Sequence, residues 1–360
     1  MSRIRARGEK IRKYIIEKVE QFPKDIAKRT AEKFEITRQA VNKHLRSLVD
    51  EGCLTETGET RNRVYKLRAL SEWARTYDRG GLEEHVVWQN DVLPQLGPMP
   101  DNVRRIWNYG FTEMFNNALD HSQATVIRVA IARTAATTEM VIGDNGVGIF
   151  RKIQHALSLA DERHAILELS KGKLTTDPAH HTGEGIFFSS RMFDQFDILS
   201  GGVFYSHEFG EDLDWVLERD RANEGTWVLM KLNNHTATTT QKIFDQYADT
   251  DHGFTTTVVP VKLARYGNDQ LISRSQAKRL LARVELFKVV LFDFKDVEEI
   301  GQAFADEIFR VFANQHPEIT VAPIHANSAV KRMIERVKSN VVQGAASSNV
   351  VLDAEASAKG

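Results

Sequence analysis

The sequence predicts a multidomain α+β protein, and three observations lead there. Its 360 residues exceed what one domain usually needs. The N-terminal stretch carries apolar residues at helical spacing, whereas the middle alternates strand-like segments with glycine-containing boxes. Residues 255–338 then return to a β-α-β-α-β rhythm of their own. Hydrophobic residues at 42% and charged residues at 27% fit an ordinary globular chain. No apolar run reaches the roughly 18 residues of a membrane span, so no membrane partner is expected. The start, MSRIRARGEKIRKYI, is basic with no apolar stretch behind it, which argues against a secretory signal. A single cysteine, Cys53, excludes an internal disulfide framework and a Cys-rich zinc site. The expected compartment is therefore a reducing cytoplasm.

The net charge of −1 conceals an asymmetry. Residues 1–70 hold 18 Lys and Arg against 10 Asp and Glu, a balance of +8, which leaves −9 for the rest. A basic head on an acidic body suits a polyanion-binding module. Ile11, Ile15, Val19 and Phe22 mark one face of a helix over 9–22, stopped by Pro23. A second helix follows over Asp25–Phe34. A third is capped by Thr37 and ends at Gly52, with Val41, Leu45, Leu48 and Val49 turned inward. Arg38, Gln39, Asn42, Lys43 and Arg46 fall on its other faces. Two alternating segments around Gly58 read as a hairpin carrying Arg61 and Arg63. Over 1–70 this resembles a winged helix-turn-helix. The resemblance implies DNA as a partner, with the third helix in the major groove and Arg61 and Arg63 on phosphates. A merely solvated basic face, or a protein-binding module, is the competing reading.

Residues 71–104 read as a helical connector, with one helix over Leu82–Leu96 and breaks at Pro94, Pro98 and Pro100. His85 lacks the neighbours of a phosphoacceptor histidine and reads as structural or surface.

The most informative stretch begins at Trp107. Trp107, Phe111, Met114, Phe115, Ala118 and Leu119 recur at three- and four-residue steps, the pattern of an amphipathic helix. Along another edge lie Glu113, Asn117, Asp120 and His121. Strands are expected over Val126–Ile131 and Glu139–Gly143, the second leading into Asp144-Asn-Gly146-Val-Gly148. A carboxylate at a strand end beside bare backbone could hold a flat ring. Further on, His181-Thr-Gly183-Glu-Gly185 opens a helix whose free N–H groups suit phosphate. Strands over Phe196–Ser200, Val203–Ser206 and Gly225–Leu232 close the region.

These boxes, in this order, resemble the GHKL ATPase superfamily of gyrase B, heat-shock chaperones, histidine kinases and MutL, over 105–235. The nearest flavour is that of the anti-sigma-factor kinases. The resemblance implies a Bergerat-type α/β sandwich with ATP and Mg²⁺ as cofactors. Glu113 would be the general base and Asn117 the Mg²⁺ ligand. Asp144 would accept from the adenine amino group, with Gly146 and Gly148 flanking adenine and ribose. Gly183 and Gly185 would meet the phosphates, and Thr226 would support the adenine-binding aspartate. Asp120 and His121 stand where relatives vary. Residues 150–182 would form the lid, with Lys171 and Lys173 as phosphate contacts or as part of a solvated loop. His180 and His181 have no third ligand at metal spacing and read as lid edge. Glu184, between the glycines, departs from many relatives and must point outward or face a lid lysine.

Over 255–338, strands at Thr257–Leu263, Val289–Phe294 and Glu318–Ile324 alternate with helices at Ser273–Leu286 and Ile300–Ala313. The stretch Phe287–Phe309 resembles STAS-like domains such as the anti-sigma-factor antagonists, which implies a protein partner. In phosphorylatable members a Ser or Thr follows the strand-end Asp. Here that place falls near Ile300, Gly301 and Gln302, with no hydroxyl. Residues 339–360 are small and polar and read as a disordered tail.

Together these features predict a cytoplasmic DNA-binding regulator controlled by Mg·ATP binding or hydrolysis, with a homodimer as one arrangement. The alternative is a serine/threonine protein kinase of the anti-sigma type acting on a separate STAS protein. A third reading is an interaction protein that has lost nucleotide binding.

Overall fold

The structure is a computed structural model that describes residues 3–59, 62–175, 182–208, 213–249, 253–265 and 270–339. Residues 340–360 of the tail expected to be disordered, Arg61, and the pair His180–His181 lie outside the described residues; Ser339 is helical. The chain is a mixed α/β protein that divides into two compact units. The first holds Met1–Gly146, Phe193–Phe196 and Trp227–Thr238; the second holds the remainder.

The first unit opens with α1 (Arg3–Lys18), α2 (Ile26–Phe34) and α3 (Arg38–Asp50). Ile11, Ile15, Val19, Ile26, Val41, Leu45, Leu48, Leu54 and Tyr65 form one buried cluster. The helix expected over 9–22 thus starts and stops earlier. Val19 stays buried beyond its end, and Arg29 sits 3.6 Å over the Phe22 ring. The Thr37 hydroxyl caps α3, accepting from Ala40 N at 3.2 Å. Strands β1 (Leu54–Thr57) and β2 (Val64–Leu67) pair antiparallel, Leu54 opposite Leu67. At Gly58 the backbone is left-handed, and a Cβ would come within 2.4 Å of the Asn62 carbonyl, so glycine is required there.

The expectation of a helical connector over 71–104 needs correction. Ser71–Asp78 is a strand, β3, paired antiparallel along its whole length with β4 (Val126–Arg133). Trp73, Arg75 and Tyr77 share one face, and only Tyr77 among them is buried. Helical structure begins at α4 (Glu84–Val87), widens into a π-helical turn over Trp88–Val92 and resumes as α5 (Leu93–Leu96). Pro94 supplies no N–H to a regular ladder, which accounts for the widened turn before it.

Helix α6 (Asp101–Asn116) buries Val103, Ile106, Trp107, Phe111, Met114 and Phe115. Gly110 lets it lie close to the sheet: a Cβ would be 2.5 Å from the Phe193 ring and 3.1 Å from Met230 Sδ. The Tyr77 ring meets Phe115 edge-on at 6.1 Å. The helix ends in a second π-helical turn, Asn117–His121. Strand β4 pairs with β5 (Thr137–Asp144), and β5 pairs with residues 227–233.

In the second unit come α7 (Ile149–Ala156), α8 (Glu162–Lys171) and α9 (Gly185–Met192). Two long strands, β6 (Gln195–Glu208) and β7 (Leu213–Asn233), run on from one unit's residues into the other's. The five-stranded sheet has the order β3-β4-β5-β7-β6. Strands expected separately at 196–200 and 203–206 are one, because Gly201 takes a φ of +58° without ending the ladder. After α10 (Thr240–Tyr247), β8 (Ala248–Asp249) pairs with β9 (Gly253–Phe254).

The C-terminal layer is a parallel sheet ordered β10-β11-β12 (Thr256–Pro260, Val289–Asp293, Thr320–Ile324). Its crossovers contain α11 (Arg274–Leu281) and then α12 (Gln302–Asp306), a π-helical turn over Glu307–Phe312 and α13 (Ala313–Gln315). Ser273 and Gln276 form a reciprocal cap at the start of α11. The helix expected to reach Leu286 ends at Leu281, where Arg283 turns the chain through a left-handed φ of 61°. Residues 328–339 are helical.

Candidate functional site

In the first unit, the turn Asp144-Asn145-Gly146 is bonded to the segment that follows Glu113 and Asn117. Asp144 is 7% exposed and accepts from Gly146 N at 2.8 Å. The Asn145 Oδ1 accepts from Thr125 N and Val126 N, both at 3.0 Å. Ser122, just after the π-helical turn, donates to the Ala118 carbonyl at 2.5 Å and accepts from Ala124 N at 2.9 Å. A Cβ on Gly146 would lie 2.0 Å from the Ser122 carbonyl oxygen. Gly146 is therefore needed for backbone contact, whatever else its bareness permits. Glu113, Asn117 and His121 are half-buried and Asp120 is exposed. Asn117 and His121 bound the π-helical turn, a distortion often found at functional positions.

In the second unit, Gly148 adopts a φ of +85°, and a Cβ there would be 2.7 Å from Ser200 Oγ. The next residue, Ile149, opens α7 and donates its N–H to Thr226 Oγ1 at 2.9 Å. The Thr226 hydroxyl thus fixes a helix start. Gly183, with φ +72°, accepts from Leu174 N at 3.2 Å, and its absent Cβ would fall within 2.5 Å of Leu174 backbone. Gly185 is the first residue of α9, so the second glycine box does open a helix.

The two lysines of this region are both engaged. Lys171 is fully buried and donates to Glu168 Oε1 at 2.7 Å, to the Arg279 carbonyl at 3.0 Å and to the Ala282 carbonyl at 2.8 Å. An ammonium has three donors, and all are used. The expectation of a phosphate contact or a solvated loop at Lys171 is corrected: it is an internal cation. Burial lowers its pKa, and the charge and hydrogen bond of Glu168 oppose that. Lys173 donates to the Leu286 carbonyl at 2.9 Å and lies 4.9 Å over the Phe287 ring. Burial lowers its pKa while the charge of Glu184 acts the other way. Burial raises the pKa of Glu184, and Lys173 counters it. Glu184 is half-buried, and its charge and that of Lys173 each favour the ionised form of the other.

On the N-terminal module, Arg38, Gln39, Asn42, Lys43 and Arg46 are all exposed on α3. Arg63 is half-buried, 3.4 Å from Glu56. Below α3, Arg12 bonds Ser47 at 3.0 Å and pairs with Glu51, which holds the Glu51 carboxyl below its ordinary pKa.

Sequence reasoning missed two constellations. One is the set Glu168, Lys171 and Arg283, in which a buried i,i+3 pair on α8 meets a half-buried arginine more than a hundred residues onward. The other is Asp293 at the end of β11, which accepts from Lys295 N at 2.9 Å and pairs with His325 Nδ1 at 3.0 Å. Nothing local in the sequence signals the distant partners, Arg283 in one and His325 in the other.

Residues 276–331 match the family described as STAS-like domain of unknown function (DUF4325). The chain therefore contains a STAS-like domain in its C-terminal layer, around α11, β11, α12 and β12. Within Ile300–Gln302, a stretch with no hydroxyl side chain, Gly301 is the N-cap of α12. A Cβ there would lie 2.7 Å from Ile272 Cα. No curated protein matches the chain. Among the described residues no helix is long and apolar enough to cross a membrane.

Proposed function

We propose that the chain is a DNA-binding regulator controlled by Mg·ATP, in which a GHKL-type region binds nucleotide and a winged helix-turn-helix binds DNA. The observation that carries the reading is the bonding of the Asp144–Gly146 turn to the chain leaving the helix of Glu113 and Asn117. It gives a nearly buried carboxylate, held by Gly146 N, as a fixed acceptor for an exocyclic amino group. The donor set also fits the cation: a carboxamide oxygen on Asn117 is the hard ligand that Mg²⁺ accepts alongside phosphates and water. Bound there, Mg²⁺ would supply charge neutralisation for phosphoryl transfer. Glu113, one helical turn before Asn117, is spaced to act as general base. Gly185 opens α9, and the first N–H groups of a helix have no partner within it. Lys173 stays a phosphate contact in this reading; Lys171 does not.

A titration of the chain with Mg·ATP tests it. Wild type should bind, and Asp144→Asn, which puts a carboxamide in place of the acceptor, should bind at least about tenfold more weakly, the equivalent of 1.4 kcal/mol. Equal affinities for the two proteins would sink the reading. Labelled γ-phosphate transferred to a separate STAS protein, and lost in Glu113→Ala, would decide for the kinase alternative.

A further inference from the structure

The second unit contains a built receptor for the segment Glu162–Leu174. Helix α11 ends at Leu281, and Arg283 then adopts a left-handed φ of 61°, a conformation that costs free energy for a non-glycine residue. This turn leaves the carbonyls of Arg279 and Ala282 to receive the Lys171 ammonium, at the end of a helix where the dipole favours a cation. The Arg283 guanidinium reaches back across the same contact. It pairs with Glu168 Oε2 at 3.1 Å and donates to the Lys173 carbonyl at 2.5 Å. Lys173 in turn donates to the Leu286 carbonyl. From β10, the Thr257 hydroxyl donates to the Lys171 carbonyl at 2.7 Å. Further back on α8, His164 Nε2 lies 3.0 Å from Arg279 NH1.

Every one of these bonds joins α8 and its exit to the C-terminal α/β layer. The exit continues to Leu174, which donates to Gly183 of the second glycine box. We propose that the STAS-like domain is the resident partner of this segment: it holds Lys171 and Lys173 in cis and thereby restrains 162–174, the segment whose last residue is bonded to Gly183. Lys171 is the pin, fully buried with three bonds; Lys173 is the releasable contact, half-buried with one. The regulatory part of this inference rests on the nucleotide reading given above. A separate STAS protein is then not required to occupy this surface, because the chain supplies its own.

The test uses the full chain and two variants. Arg283→Gly removes the guanidinium and suits the left-handed backbone; Thr257→Val removes a single buried hydroxyl at nearly constant volume. Amide exchange without nucleotide should become at least about tenfold faster across 162–174 in Arg283→Gly, and should change in the same direction and by less in Thr257→Val. Mg·ATP should bind Arg283→Gly several-fold more tightly than wild type. Unchanged exchange in both variants overturns the restraint. Faster exchange with equal or weaker Mg·ATP affinity overturns the regulation. If neither wild type nor variant binds Mg·ATP, the nucleotide reading fails and the regulatory claim falls with it, while the exchange result still decides whether the domain holds the segment.

Discussion

Gly146 illustrates how a residue can be right for a reason that sequence does not reveal. Its place in the first glycine box suggested room for a flat ring, yet the nearest atom to its missing Cβ is the Ser122 carbonyl oxygen at 2.0 Å. Gly146→Ala should therefore destabilise the first unit by about 1–3 kcal/mol through backbone displacement, read as a lower denaturation midpoint in urea. An unchanged midpoint would show that the turn yields freely. Lys171 teaches the opposite lesson. Ser170-Lys-Gly-Lys reads as a polar loop, and two of the ammonium's three partners are the carbonyls of Arg279 and Ala282, more than a hundred positions onward. A lysine with two of its three partners that far along the chain cannot be recognised as internal from its neighbours. By contrast, the helix cap at Thr37 and the strand end at Asp144 were legible, because the chemistry that fixes them lies within a few residues.

Among elements, those with a buried stripe were readable and those without were not. Helices α3 and α6 carry dense apolar periodicity; α3 falls where the pattern put it, and α6 contains the expected stretch but starts six residues ahead of Trp107. Strand β3 escaped notice because it is an edge strand with one neighbour, so most of its side chains stay exposed and the alternation is weak. The early part of β7 likewise has a charged sequence, Glu218 to Glu224, with no apolar rhythm. Strand β7 also anchors the N-terminal module: Lys231 lies 2.9 Å from Glu139 on β5 and 3.2 Å from Glu20 just beyond α1. Burial works against the Lys231 ammonium, but the hydrogen bond to Glu139 and the charges of both glutamates outweigh it and raise its pKa. A raised lysine pKa stabilises the fold fully below its ordinary value of 10.5, and that contribution disappears as pH rises through the raised value. Lys231→Met should thus cost about 1 kcal/mol at neutral pH, and should flatten the fall in stability of the wild type in strongly alkaline buffer. A variant whose alkaline profile matches wild type would exclude this ion pair as the cause.

For the whole molecule, the charge asymmetry is the feature with the clearest consequence. The head carries +8 and the rest −9. The five polar residues expected to face DNA are all exposed on one helix. Binding to duplex DNA should weaken steeply with salt, and the joint substitution of Arg38 and Lys43 by Ala should lower the logarithmic salt slope by about 1–2. A slope unchanged in the double variant would remove α3 as the contact. Saturating Mg·ATP should shift the affinity of the wild type and leave Asp144→Asn unmoved. The C-terminal layer was legible as an α/β alternation, and the family match falls on it. The order of motifs along the chain did not reveal how they group in space. The first compact unit gathers segments from three separated stretches of sequence, and pairing between distant strands is invisible to local pattern.

The edge position of β3 bears on how the protein can be taken apart. Residues 71–78 look like a dispensable spacer, yet they cover one side of β4 with eight paired positions. A fragment begun after Asp78 would leave that ladder of N–H and C=O groups bare, an invitation to stack with other copies. Cutting the chain ahead of Ser71 instead keeps the cover in place, and is where a soluble fragment should start.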